Sequence, residues 1–267
     1  MVNLIYIVLG TLAAGVGSVL VAALCARALL SAYTQHLLSL AAGALLATAF
    51  MHLLPEAFES GASPHQLFIT LLVGLVFFFL LDKAELWHHG HEHGHAHSHG
   101  HAQGHDHDHA KDAPPTGMAG SWSVLMGDSI HAFGDGLLVA AAFLADVQLG
   151  VAATVAVLAH EVPHHMGDLV VLQQGMGQPR SALIKLCMAG GVTVLGGLVG
   201  YSLIAGHEEW LPFWLTLASS SYIYVALADL IPQLQKRLSA NATVAQIGWL
   251  FAGIALVTGV TQLGHMH

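Results

Sequence analysis

Eight predominantly apolar stretches leave this chain little choice of fold. They run roughly 3–25, 36–57, 66–86, 121–144, 149–172, 181–205, 212–234 and 244–264. Each is near the ~20 residues that a helix needs to cross the hydrocarbon core of a bilayer. In lipid every backbone N–H and C=O must be bonded internally, which leaves helices or closed barrels, and segments of this length are helices. Only 9% of the 267 residues are charged and 55% are hydrophobic, against roughly 25% charged in a soluble domain. The expectation is therefore an all-α integral membrane protein, a single transmembrane domain over 1–267 with eight spans. The first stretch lacks a basic leader and outruns a signal-peptide core, so it reads as a retained span. A net charge of −9 argues against a nucleic-acid partner. Cys25 and Cys187 sit in or beside apolar segments and suggest no disulfide framework.

The long third loop, about 87–120, breaks this pattern. It carries His88, His89, His91, His93, His95, His97, His99, His101, His105, His107 and His109, followed by Pro114 and Pro115. Such a tract cannot build a core and reads as flexible and metal-binding, an auxiliary buffer or sensor beside the transport path. The seven basic residues, Arg27, Lys83, Lys111, Arg180, Lys185, Lys236 and Arg237, all fall in or beside odd-numbered loops. Lys and Arg gather on the cytoplasmic side, which puts the His tract inside and both termini outside. The other face carries Glu56, Glu59, His65, Asp146, His207, Glu208 and Glu209, an acidic rim able to concentrate cations.

Ionisable residues inside the spans point to function, because charge at membrane depth is costly and marks ion pathways or reaction centres. The fourth span contains HAFGDG from His131 and the fifth HEVPHHMGD from His160. Residues four apart share a helix face, so His131 aligns with Asp135 and His160 with His164, with Glu161 close by. His165 and Asp168 lie on a neighbouring stripe. Imidazole with carboxylate suits Zn²⁺ and its first-row neighbours better than Mg²⁺ or Ca²⁺. Pro163 withholds an amide from the Ala159 carbonyl, so local unwinding is expected there. Asp128, near the start of its span, reads as a helix-entry residue. Asp229 equally well pairs with Lys236 or Arg237, and His52 with a neighbouring helix. His265 and His267 read as incidental. The second span ends HLLPEAF and the seventh DLIPQLQ, an echo of the kind an inverted repeat leaves.

At these residues the chain resembles the ZIP (Zrt-, Irt-like) family of divalent-metal transporters. HAFGDG is similar to its fourth-helix pattern HNxxDG, and HEVPHHMGD to its fifth-helix pattern HExPHExGD in the branch carrying HELPHE. HLLPEA and YIYVALADLIPQL are similar to that branch as well. The resemblance implies helices 1–3 and 6–8 as inverted repeats around helices 4–5, and an elevator-like movement of that central pair. It implies a metal site of His131, Asp135, His160, Glu161 and His164, with uptake toward the cytoplasm. Zn²⁺ is the commonest substrate of that family, with Fe²⁺, Mn²⁺, Co²⁺ and Cd²⁺ as others, and no cofactor is expected. His52, with Glu56 beside it, matches an entrance ligand near the outer face, and His165 and Asp168 are secondary candidates.

Two positions depart from the pattern. Ala132 replaces the family Asn and His165 the family Glu, and the sixth span has no acid. A second metal beside the first is therefore in doubt unless His165 or Asp168 supplies a ligand. Short loops suggest a prokaryotic inner membrane, and the expected partners are the cation, the bilayer and, as an admissible assembly, a second copy of the chain. Two rivals stand beside this reading. HEVPH satisfies the zincin motif HExxH, which would make an intramembrane metalloprotease, although Pro163 disturbs the spacing of the imidazoles. A cation-diffusion-type exporter also uses HxxxD pairs, but with six spans.

Overall fold

The computed structural model describes residues 2–28, 34–91, 118–176, 178–234 and 239–264, and no strand occurs among them. They form eight long helical rods. Helix α1 comprises Val2–Leu12 and Ser18–Ala28, joined by a π turn at Ala13–Gly17. Helix α2 comprises Thr34–Ala47 and Leu54–Glu59 around a π turn at Thr48–Leu53. Helices α3 (Pro64–His91), α4 (Met118–Ala145), α5 (Val147–Met176) and α6 (Pro179–Ile204) are unbroken. Helix α7 joins Leu211–Tyr224 to Ile231–Leu234 through a π turn at Val225–Leu230, and α8 is Ala240–Gly264. Helix α3 thus takes in His88, His89 and His91. His93, His95, His97, His99, His101, His105, His107 and His109 lie outside the described residues.

Seven rods are long and apolar enough to span a membrane by length and composition. The other, α5, is long enough at 30 residues but carries the polar motif. It is packed against α1, α2, α4, α6 and α8, so its ionisable face meets protein. By contrast, only 11% of the most apolar stretch of α3 or α8 is buried, which makes these two the lipid-facing periphery.

The packing follows the sequence echo. Helix α2 lies on α8 and α3 on α7, while α4 lies on α6 and α5 on α1. Exchanging helices 1–3 with 6–8, and 4 with 5, maps each of these pairs onto another. Two of the π turns obey the same exchange. Pro55 and Pro232 each lack an N–H and crowd the carbonyl four residues back, at Met51 and Ala228, and both carbonyls fall within a π turn. A π turn is a common way to absorb such a defect. Pro163, however, sits inside an unbroken α5. The unwinding expected there is absent, because five neighbours grip the helix on its several sides.

Glycine sets the closest approach. A Cβ on Gly136 would lie 1.9 Å from the Thr193 carbonyl oxygen, and one on Gly196 2.0 Å from that of Phe133. Helices α4 and α6 therefore touch backbone to backbone beside His131 and Asp135, as small residues permit in membranes. Asp146 alone links α4 to α5, and its Oδ1 accepts from the amides of Gln148 (2.7 Å) and Leu149 (3.4 Å), an N-cap. This tight hairpin fixes the register of the two motifs. Two apolar clusters flank the polar level, one including Leu138 and Val157, the other Leu125, Val162 and Met166.

Replacing Gly196 by Ala should destabilise the detergent-solubilised protein by about 1–3 kcal/mol, the usual cost of overpacking. Gly248→Ala, where nothing lies within 4 Å of the new methyl, is the control. Equal melting temperatures for both variants would contradict the α4–α6 contact.

Candidate metal centre

Counting from the hairpin explains which side chains meet. His131 precedes Asp146 by 15 residues, and His160 and Glu161 follow it by 14 and 15. At 1.5 Å per residue all three sit ~22 Å from the turn. Asp135 reaches the same level from one helical turn away.

His131, Asp135, His160 and Glu161 each offer a ligand atom within 4.8 Å of the others. His160 Nε2 lies 3.1 Å from Glu161 Oε1 and 3.3 Å from Asp135 Oδ2. His131 Nε2 lies 3.4 Å from Glu161 Oε1, 3.7 Å from Asp135 Oδ2 and 3.4 Å from His160 Nε2. Four ligands at the 2.0–2.1 Å bond length of tetrahedral zinc stand about 3.3 Å apart. The observed spacings cluster around that value. Asp135, His160 and Glu161 are buried, whereas the His131 side chain keeps 38% of its exposure. His160 Nδ1 lies 3.2 Å from the Ala156 carbonyl oxygen, to which it can only donate. The lone pair then falls on Nε2, which faces the cluster, as a backbone partner typically arranges for a ligating imidazole.

One turn further along, Glu161 has a second neighbourhood. His165 Nε2 lies 3.0 Å from Glu161 Oε2 and 3.3 Å from Asp128 Oδ1, and these three residues form a second group with ligand spacing. His165 Nδ1 is 3.1 Å from Ser18 Oγ on α1, and that hydroxyl donates to the Gly15 carbonyl at 2.5 Å. Ser18 Oγ can therefore only accept from Nδ1–H, which leaves Nε2 as the nitrogen facing the carboxylates.

The other sequence candidates are placed differently. His164 lies beside the first group, its ring centroid 6.4 Å from that of His131 and 6.2 Å from that of His160. It is not among the four residues whose ligand atoms converge. His52 has its Nε2 3.5 Å from Thr261 Oγ1 on α8, and Glu56 is exposed; neither belongs to either group. Asp168 is half-buried and two turns beyond Glu161, also outside both. Asp128, expected only to open its helix, is one of the two acids of the second group. Its register was available: it precedes Asp146 by 18 residues while His165 follows it by 19.

The sequence model described as ZIP Zinc transporter matches residues 1–261. The chain belongs to this family. It is 30% identical over 243 residues to Zinc transporter ZIP13 of Pongo abelii, covering 84% of this chain and 66% of that protein. It is 35% identical over 155 residues to Zinc transporter ZIP10 of Mus musculus, 57% of this chain and 18% of that one. Zinc transporter ZIP6 of Homo sapiens is 32% identical over 157 residues, 57% of this chain and 20% of that protein. The chain thus spans less than two thirds of these relatives. Membership supports neither the protease nor the exporter, and a ZIP protein is not an enzyme.

Saturating zinc should raise the melting temperature of the purified protein, since a ligand at 100 times its Kd adds about 2.7 kcal/mol. Glu161→Gln, which keeps the shape but removes the charge shared by both groups, should abolish most of that gain. Asp168→Asn should keep it. Unchanged zinc protection in Glu161→Gln would remove Glu161 from the ligand set.

Proposed function

We propose that the chain carries Zn²⁺ across the cell (inner) membrane toward the cytoplasm through His131, Asp135, His160 and Glu161, with His164 beside them. The observation that carries this reading is the convergence of those four ligand atoms on adjacent membrane helices. Two imidazoles and two carboxylates at zinc spacing offer a dehydrated divalent ion both softness and charge. Fe²⁺, Mn²⁺, Co²⁺ and Cd²⁺ are further substrates that a mixed nitrogen and oxygen set admits. All the ligands come from one chain, so a homodimer would not be needed to complete the site.

Direction rests on charge. Glu56, Glu59, His65, Asp146, His207, Glu208 and Glu209 are all exposed and gather at the ends of α2, α4 and α6. This rim is the outer, cation-gathering face, and the basic loops with the His tract face the cytoplasm. Both termini then lie outside. Toward the rim, the level above the site is packed solid by Leu138–Phe143 of α4 and Ala152, Ala153, Ala156 and Val157 of α5. Toward the other end, Gly167 is exposed and Asp168 half-buried. Passage would need the α4–α5 pair to move against the remaining helices, in the elevator-like manner of the family.

Neutral imidazoles and ionised carboxylates bind the ion, so protons compete with it. Uptake into proteoliposomes should fall as the outer solution is acidified. At fixed pH, His160→Ala should reduce ⁶⁵Zn uptake to background at equal protein incorporation. His164→Ala should lower it on the order of 10–100-fold, the range for a residue supporting the ligands. Wild-type uptake by His160→Ala would sink the site. Deleting 88–109 should leave transport competence intact while altering its regulation, and complete loss in well-folded protein would overturn the auxiliary role of the tract.

A further inference from the structure

We infer that Asp128, Glu161 and His165 hold a second divalent cation one helical turn from the first, with Glu161 bridging the two. The inference rests on the proposed central site, because both ions share that carboxylate. The second position differs from the one the family resemblance offers. That one needs an amide at position 132 and an acid on α6, but this chain has Ala132 and no acid from Ser181 to Gly206. The replacement ligands lie instead on α4, one turn before His131, and on α5, one turn after Glu161.

Three observations carry it. First, His165 is fully buried, and its Nε2 stands 3.0 Å from Glu161 Oε2 and 3.3 Å from Asp128 Oδ1, so one imidazole nitrogen and two carboxylate oxygens converge at ligand spacing. Asp128 Oδ2, the other oxygen of that carboxylate, is buried with no hydrogen-bond partner among the described residues, a costly state for a charged group that no ion answers. Second, Ser18 fixes the tautomer. Its hydroxyl is committed to the Gly15 carbonyl, so it accepts from Nδ1–H and leaves Nε2 as the nitrogen that faces Asp128 and Glu161 and that a cation would bind on displacing any proton there. Third, the two oxygens of Glu161 are divided, Oε1 toward His131 and His160, Oε2 toward His165.

One imidazole and two carboxylates suit a Zn²⁺-like cation. An ion leaving the first position would step one turn toward Asp168 and the exposed Gly167 while still held by Glu161. His165, the departure from the family pattern, is then a ligand and not a lost one.

The test is anomalous diffraction at the zinc edge from crystals of the full chain grown with Zn²⁺, which locates ions regardless of zinc on the His tract. Two peaks within one helical turn (~5 Å) of each other are expected. His165→Ala should lose the peak next to Asp128 and keep the one among His131, Asp135, His160 and Glu161, and Asp128→Asn should do the same. A single peak at the central position in the wild type overturns the second site while sparing the first. No peak at either position overturns both. A second peak that survives both substitutions overturns the ligand assignment, and if neither variant folds, the wild-type peaks decide.

Discussion

The structure depends on one buried carboxylate. Glu161 lies within 3.0–3.4 Å of three imidazoles, those of His165, His160 and His131. A lone acid at the centre of a transmembrane helix costs about 3 kcal/mol even by the mildest insertion scales. It is retained only where other groups or an ion answer its charge. The imidazoles that surround it come from α4 (His131) and from α5 itself (His160 and His165), with Ser18 of α1 behind His165. Burying α5 among five helices follows from this: the polar face has to be walled by protein, and α3 and α8 are left to meet lipid.

The same requirement explains where flexibility of backbone is found. The ligand helices α4 and α5 run without a break through the polar level, even at Pro163. The π turns fall in α1, α2 and α7, the helices packed around that pair. In α1 the turn does more than relieve strain, since its Gly15 carbonyl takes the Ser18 proton and so determines how His165 is presented. A scaffold with irregular backbone around a regular pair of ligand helices keeps ligand spacing constant while the surroundings adjust.

Much of this was legible in the chain. Eight apolar stretches of near-uniform length gave the helices with ends shifted by a few residues, and the HLLPEAF and DLIPQLQ echo marked the repeat that the helix pairing bears out. The five principal site candidates were singled out by the cost of ionisable groups in apolar segments together with helical spacing, and four of them converge in the structure. The ranking within them was not legible. His164 shares a face with His160 on a helical wheel, but convergence depends on the facing helix and on ring orientation, which periodicity does not carry. Asp128 was assigned to helix entry because it stands near the start of its span. Its partner is 37 positions away in sequence, and only the one-residue turn at Asp146 puts the two at one height.

Asp146 shows why such a turn matters beyond connectivity. By capping α5 directly after α4 ends, it leaves no slack between the helices, so every residue of α4 has a fixed opposite number on α5. The pairs at equal distance from it are His131 with Glu161 and, within a residue, Asp128 with His165. A longer loop would let the helices slide and would mix these levels. Counted as part of the acidic rim, Asp146 therefore has a second duty that its charge alone does not reveal: its side-chain hydrogen bonds to Gln148 and Leu149 hold the register on which both ligand groups depend.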